Sequence, residues 1–166
     1  MVKPKKFVKR KVRDRFKKYL SKSDIEDLGD KPFVVISNNC FGAEVYQWYQ
    51  RPYNTPFIGL FIYGPCYFKL LSNFDHYMDQ DLEFIEKSKY TEPHRAWLYP
   101  IARLDDIEIH FSHYENEEIA REKWTRRTAR MKKEKDKDNY FFKICDRDGN
   151  DKLIEDFHRL PYKKKI

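Results

Sequence analysis

One short segment, ISNNC, combines residue types that could do chemistry. It places Ser37, Asn38 and Asn39 directly before Cys40, and Gly42 follows two positions later. We expect Cys40 to lie at the start of a helix, where free backbone N–H groups and the helix dipole favour the thiolate and lower the thiol pKa. A histidine able to take the thiol proton would complete a nucleophile pair.

His110 and His113 are the candidates for that base, and Asp146 is the candidate for a carboxylate that orients it. With Cys40 as nucleophile and the ISNNC amides donating to an oxyanion, this set would suit acyl transfer or hydrolysis. The alternative for Cys40 is an ordinary buried thiol, since free cysteine is among the most buried residue types. The two histidines are also candidate metal ligands, although on a strand they would point to opposite faces.

A second segment, Asp146 to Gly149, places the carboxylates of Asp146 and Asp148 two positions apart. Two carboxylates at this spacing can hold a divalent ion, Mg²⁺ or Mn²⁺, against a diphosphate. The alternative is a plain turn, because Asp-Gly favours turns.

A third segment, KWTRRTAR, places Arg126 and Arg127 within two helical turns of Lys123 and Arg130. This density of cations could neutralise phosphates. A solvated helix whose cations pair with the glutamates just upstream is the alternative.

The elements that must position these residues alternate between strand and helix along the chain. In DDIEIHFSH, apolar residues alternate with Glu108 and His110, so we expect one face of that strand to be less well covered. The pattern predicts an α/β fold, a three-layer sandwich with a mostly parallel sheet. The predicted strands are PFVVISNNC, FIGLFIY, DLEFIEKS, DDIEIHFSH, YFFKICDRDG and PYKKKI, and the predicted helices are AEVYQWYQ, CYFKLLSNFDHYMDQ, ENEEIAREKWTRRTARMKKEKDKD and DKLIEDFHRL.

Ligands of α/β sheets bind beyond the carboxyl ends of the strands, so the polar residues that follow three of these strands should meet at one edge. We therefore predict one site that combines all three segments. Its catalytic candidates are Cys40, His110, His113 and Asp146, its substrate-binding candidates are Ser37, Asn38, Asn39, Gly42, Asn54, Arg126 and Arg127, and its metal candidates are Asp146 and Asp148.

The net charge of +7 comes from the start of the chain. Residues 1–22 hold 11 Lys or Arg and one acid, which leaves 23 basic and 26 acidic residues elsewhere. Because the rest is slightly acidic, nucleic-acid binding is not expected. Residues 7–20 predict a basic amphipathic helix that either packs its apolar stripe on the domain or docks on an anionic membrane. We divide the chain into this helix and a linker, residues 1–30, and an α/β domain, residues 31–166.

The cysteines and the apolar segments predict the compartment. Three scattered cysteines without a CxxC pair favour a reducing cytoplasm. No continuous apolar stretch follows the basic N-terminus, and Pro65 and Lys69 interrupt the most apolar segment. We expect a cytoplasmic protein, with peripheral contact at the inner membrane through residues 1–22 as the one membrane association.

Several segments, taken in order, resemble a bacterial family catalogued as domain of unknown function nineteen-nineteen. The resemblance runs from about Phe33 to Lys165 and rests on ISNNCFGAEVY, PYNTPFIGLFI, YFKLLSN, DIEIHFSHYENEEIAREKWTRRTAR, FFKICDRDG and LPYKKK. Members are commonly described as exopolysaccharide biosynthesis proteins. The resemblance implies a role in making exopolysaccharide, capsule or lipopolysaccharide. Family chains look longer, so we expect a member shortened at its C-terminus, and Ala43 stands where the family tends to have a second glycine.

We therefore predict a group transferase, glycosyl or acyl, that acts on a glycan precursor or nucleotide sugar. The alternative is a non-catalytic module that binds a sugar or a partner protein with the same edge of the sheet.

Overall fold

The computed structural model of the 166-residue chain describes residues 16–17, 19–90, 98–145 and 150–166, which form a mixture of helices and strands. The elements are α1 (residues 19–28), β1 (Val34–Ser37), α2 (Phe41–Trp48), α3 (Gly64–Ser72), α4 (Phe74–Met78), β2 (Glu83–Ile85), β3 (Ile101–Leu104), β4 (Ile107–His110), α5 (Glu117–Met131), a 3-10 turn (Lys137–Asn139), β5 (Tyr140–Lys143), α6 (Asp151–Arg159) and β6 (Lys164–Lys165).

A parallel sheet holds β1, β5 and β6 in that order. Val34 pairs with Tyr140, and Phe141 pairs with Lys164. All four residues of β1 are buried, as expected for a strand rich in β-branched side chains with both faces covered. The prediction of parallel strands is confirmed for β1, β5 and β6.

An antiparallel sheet holds β2, β3 and β4 in that order. Only Asp105 and Asp106 separate β3 from β4, and Asp105 has a φ of 54°. A connection this short can only return an antiparallel strand, because a parallel strand needs a long crossover. The strands of the described residues are therefore divided equally between parallel and antiparallel pairing, where the sequence predicted a mostly parallel sheet. The three-layer sandwich stays a prediction.

A short extended segment joins the two sheets. Phe61 and His110 exchange two backbone hydrogen bonds of 2.9 Å, which link the segment to the end of β4. The next residue, Ile62, donates its N–H to the carbonyl of Asn38, just after β1, at 2.9 Å. The segment FIGLFIY, predicted as a strand or a core segment, thus forms a single bridge. Its consecutive residues Phe61 and Ile62 connect the end of β4 to the residue that follows β1.

The helices begin and end where local sequence signals place them. Asn116 caps α5 by accepting a hydrogen bond from the N–H of Ile119, with glutamates in the first turn and Arg130 in the last. The helix predicted over CYFKLLSNFDHYMDQ is two helices, because Asn73 has non-helical angles between α3 and α4 (φ −141°, ψ 55°). The predictions of α2, α5 and α6 are confirmed.

Both faces of β4 are buried, so the prediction of a poorly covered face was wrong. Glu108 is 2% exposed and His110 is 0% exposed. The Glu108 carboxylate accepts hydrogen bonds from the Ser88 hydroxyl and the Lys89 N–H, both at 2.7 Å, and lies 3.5 Å from Nε2 of His110. The chain around Ser88 covers the face that periodicity alone assigns to solvent.

The N-terminal helix is described only in part. The predicted basic helix over residues 7–20 lies mostly outside the described residues, but residues 16–17 and α1 are helical. In α1, Asp24 accepts a hydrogen bond from the Trp48 indole at 2.8 Å, which ties this helix to α2. The division of the chain at residue 30 stays a prediction. None of the helices among the described residues is both long and apolar enough to cross a bilayer.

Replacing Glu108 with alanine should destabilise the fold by about 3 kcal/mol, because the part-buried donors of Ser88 and Lys89 would lose their acceptor and buried His110 would lose the carboxylate beside it. The matched control is Glu83→Ala on β2. Glu83 is exposed and pairs with Arg103 at 2.9 Å, so its loss should cost less than about 1 kcal/mol. Urea unfolding measures both free energies, and equal losses in the two variants would contradict the buried network.

Candidate functional site

Asn38 fixes the edge of the parallel sheet. Its side chain is fully buried, and its amide oxygen accepts a hydrogen bond of 3.0 Å from the backbone N–H of Cys145, just past β5. Its own carbonyl accepts the N–H of Ile62. The chain just past β1 and the chain just past β5 therefore meet at one edge of the sheet, whereas the gathering of the predicted polar side chains there stays a prediction.

Ser37 and Asn39 shape the turn from β1 into α2. The Ser37 hydroxyl donates to Oδ1 of Asn39 at 3.1 Å, and the same oxygen accepts the N–H of Phe41, also at 3.1 Å. These bonds form the side-chain turn that Asn favours before a helix. Gly42 is buried, and a Cβ added to it would lie 3.5 Å from Val35, so it packs against the core.

Cys40 lies at the N-cap of α2, as predicted, but its pKa moves in the opposite direction. The thiol is half-buried and contacts the carbonyl oxygen of Leu60 at 4.0 Å. Burial raises the thiol pKa, since desolvation disfavours the thiolate. The prediction of a lowered pKa was wrong, because it considered the helix terminus and left out burial.

The two candidate histidines differ in exposure, but both contact the segment of residues 59–61 that Cys40 also contacts. His110 stacks on the ring of Phe61 at 4.5 Å and is enclosed, with the hydroxyl of Tyr99 3.5 Å from Nδ1. His113 is exposed, and its N–H donates to the carbonyl of Gly59 at 3.0 Å. Gly59, Leu60 and Phe61 are consecutive, so Cys40, His110 and His113 each contact this one segment, His113 through its backbone N–H. Asp146 and Asp148 lie outside the described residues.

Arg127 occupies a buried position beside two tyrosines that sequence reasoning missed. Its guanidinium donates to the Tyr114 hydroxyl at 2.7 Å and lies 5.0 Å above the ring of Tyr53. The Tyr114 hydroxyl in turn donates to the carbonyl of Ile58 at 2.6 Å. Burial raises the pKa of Tyr114, and the neighbouring Arg127 guanidinium lowers it in part.

One face of α5 carries cations against these tyrosines. Lys123, Arg127 and Arg130 follow helical spacing, with Lys123 5.4 Å from the Tyr114 ring and Arg130 donating to the Tyr53 carbonyl at 3.3 Å. Within the described part of the chain, none of the three forms an ion pair with a carboxylate. We refer to Tyr53, Tyr114, Lys123, Arg127 and Arg130 as the cation–tyrosine cluster.

Arg126, which was predicted to act together with Arg127, lies on a different face of α5. It pairs with Glu122 at 3.0 Å and is about half exposed. For Arg126 the structure therefore matches the alternative of a self-paired, solvated helix, whereas Arg127 faces the cluster. Consecutive residues of a helix point about 100° apart, which explains why the two arginines separate.

Asn54, predicted to bind substrate, makes two contacts within the fold. Its amide nitrogen donates to the carbonyl of Phe33 at 2.8 Å, and its oxygen accepts the hydroxyl of Tyr46. Burial raises the pKa of Tyr46, consistent with a neutral donor in this position. Asn54 therefore ties the segment next to Tyr53 to α2 and to Phe33, just before β1.

Two cavities lie away from this edge. One, of about 550 Å³, lies at the far end of α2 beside Gly29 and Arg51, and another, of about 340 Å³, is lined by Asp79, Arg121 and Lys132. Neither contains a residue of the cation–tyrosine cluster. Over the ranges that the structure describes, no three His, Cys, Asp or Glu side chains converge as metal ligands would.

The described residues define a class of protein: a mixed α/β chain with a half-buried thiol at the end of a parallel strand, an exposed histidine, and three cations on α5 that contact tyrosines and pair with no described carboxylate. Arginine and lysine in this setting recognise phosphate or carboxylate groups, and tyrosine rings provide flat apolar surfaces.

The chain matches the family described as Domain of unknown function (DUF1919) over residues 11–166, and it belongs to that family. A relative from Haemophilus influenzae (strain ATCC 51907 / DSM 11121 / KW20 / Rd), described as an uncharacterized protein, is 36% identical over 160 residues. The similar region covers 96% of this chain and 72% of that protein.

Alkylation of Cys40 by iodoacetamide should show an apparent pKa above that of an ordinary cysteine. Because only the thiolate reacts and burial raises the thiol pKa, the rate should still be rising with pH beyond the usual value. Mass spectrometry of the Cys40 peptide at a series of pH values measures this rate separately from the alkylation of Cys66 and Cys145, so neither residue has to be replaced. A plateau reached below pH 7 would contradict it.

Proposed function

We propose that this protein acts in the biosynthesis of a surface polysaccharide, an exopolysaccharide, capsule or lipopolysaccharide, as a group transferase for an anionic glycan precursor. The observation that carries the proposal is Arg127, a guanidinium only 9% exposed with no carboxylate paired to it among the described residues. The family resemblance supplies the biological setting, and the cation–tyrosine cluster supplies the chemistry of recognition.

A buried, unneutralised guanidinium is costly, and an incoming anion reduces that cost. Removing a charge from water carries a desolvation penalty that a close opposite charge offsets. The Tyr114 hydroxyl satisfies one donor of Arg127, and the Tyr53 ring lies against its plane, but neither carries a negative charge. A phosphate or carboxylate bound here would gain charge-assisted hydrogen bonds.

The same cluster suits a sugar next to that anion. The rings of Tyr53 and Tyr114 are aromatic surfaces on which the apolar face of a sugar can pack. Lys123 and Arg130 extend the positive charge along α5, which would accommodate a diphosphate as in a nucleotide sugar. A glycan precursor that carries phosphate meets both requirements.

Two versions of group transfer remain open. In the acyl version, the Cys40 sulfur attacks the carbonyl carbon of an acyl donor, and His113 or His110 takes the thiol proton and gives it to the leaving group, so that a thioester forms. A glycan hydroxyl then attacks the thioester carbon, the carbon–sulfur bond breaks, and the same histidine passes the hydroxyl proton to the Cys40 thiolate. In the glycosyl version, Asp146 and Asp148 would hold a divalent ion, Mg²⁺ or Mn²⁺, that neutralises a diphosphate, and Arg127 would bind the same group.

A non-catalytic sugar- or partner-binding module is the second candidate. The raised pKa of the Cys40 thiol favours it, because a nucleophile at neutral pH needs an accessible thiolate. The cation–tyrosine cluster serves this alternative equally well, since recognition of the glycan needs no bond to form.

Replacing Arg127 with methionine should weaken binding of a nucleotide sugar by about tenfold or more, the scale of one charge-assisted hydrogen bond. The matched control is Arg126→Met, which removes the same charge one position away but leaves the cluster intact. Calorimetric titration with a panel that includes UDP-glucose and GDP-mannose measures both affinities. If the Arg127→Met substitution disturbs folding, Arg130→Met tests the same cluster at a more exposed position.

The outcomes separate the versions. Equal affinities of the Arg127 and Arg126 variants would remove the cluster as the binding site, and no binding by any nucleotide sugar would remove that substrate class. Heats unchanged by manganese, with no loss on Asp148→Ala, would remove the metal-dependent version. Binding without turnover of donor and acceptor, unchanged by Cys40→Ser, would favour the binding module.

A further inference from the structure

Three large apolar side chains near the start of the described chain face solvent on one side of a helix. Phe16 is 63% exposed, Tyr19 is 79% exposed and Leu20 is 57% exposed. Their spacing of three and four positions puts them on one helical face, since residues 16–17 and 19–28 are helical. We call these three residues the outward stripe.

A neighbouring face of the same helix packs on the domain. Ser21 is buried, and Leu28 packs against the core cluster that contains Phe33 and Tyr46. Asp24 accepts the indole N–H of Trp48. The helix is therefore attached through one face while Phe16, Tyr19 and Leu20 of the outward stripe stay exposed beside it, so packing on the domain does not account for these three residues.

The sequence that leads into the outward stripe indicates what covers it. Residues 1–22 contain 11 Lys or Arg and one acid. A soluble anionic partner would satisfy the charge but not the apolar stripe, whereas an anionic bilayer satisfies both, because apolar and aromatic side chains enter its interface and basic residues bind its headgroups. We propose that this helix docks the protein on the surface of an anionic membrane, the inner membrane for a cytoplasmic protein.

The docking surface adjoins the candidate site. Lys17, beside Phe16, pairs with Glu44 of α2 at 2.7 Å, and Phe41 lies one turn earlier on α2 and is 38% exposed. Cys40 directly precedes Phe41. A membrane bound at the outward stripe therefore lies next to the edge of the parallel sheet where Cys40 is presented. That the site then meets a membrane-borne glycan precursor rests on the proposed function, whereas the docking itself does not.

Vesicle pelleting of the full chain tests the docking. Binding to phosphatidylglycerol-rich vesicles should exceed binding to phosphatidylcholine vesicles and should fall with salt, because headgroup attraction is screened. The double variant Tyr19→Ser/Leu20→Ser should bind the anionic vesicles about tenfold or more weakly, since two apolar side chains no longer enter the interface.

The matched control is Leu98→Ser/Ile166→Ser, which removes two exposed apolar side chains outside the outward stripe; Leu98 is 91% exposed and Ile166 is 59% exposed. This variant should pellet as the original chain does. Equal pelleting of the two double variants, or no preference for anionic vesicles, would overturn the proposal. Calorimetry without vesicles should give the same nucleotide-sugar affinity for all three proteins, so a failure of docking is distinguishable from a failure of the proposed function.

Discussion

The buried amide of Asn38 is the constraint on which the rest of the structure depends. Its carbonyl accepts the N–H of Ile62 and its side chain accepts the N–H of Cys145, so one residue joins β1, the bridging segment and the end of β5. A buried amide of this kind is stable only when its polar atoms are satisfied, which fixes these three segments relative to one another. The turn that presents Cys40 and the segment that it contacts are held by the same residue.

Much of the fold could be predicted from local sequence, because periodicity, capping residues and turn residues indicate strands and helices. The presence of α2 and α5 follows from such signals, although α5 ends at Met131, before the predicted KKEKDKD segment. The antiparallel sheet was harder, since pairing direction depends on the length of each connection and on packing that no single segment encodes. For Glu108 and His110, alternation indicated exposure, yet the chain around Ser88 covers them, and a distant segment leaves no trace in the periodicity of β4.

The meeting of the ends of β1 and β5 could be predicted from sequence, whereas the role of this edge as a functional site stays a prediction. The rule that strand ends share an edge led to Asn38 and Cys40. It also predicted that the amides of Asn38 and Asn39 bind a ligand, but in the structure their side-chain oxygens accept hydrogen bonds from the backbone. Tyr114 could have been noticed because it directly follows His113, whereas nothing in the sequence connects Tyr53 with α5. The separation of Arg126 from Arg127 could have been predicted from the angle of about 100° between consecutive helical residues. The sequence prediction considered only how many cations lie close together in the chain.

The parallel pairing of β1 with β5 has a consequence for the order of folding. Val34 and Tyr140 meet although more than a hundred residues separate them, while β3 and β4 pair across a two-residue turn. Closing a long loop costs more chain entropy than closing a short one, so we expect the antiparallel hairpin to form early and the parallel pair late. The edge that presents Cys40 would then be completed last, and a partly folded chain would lack it.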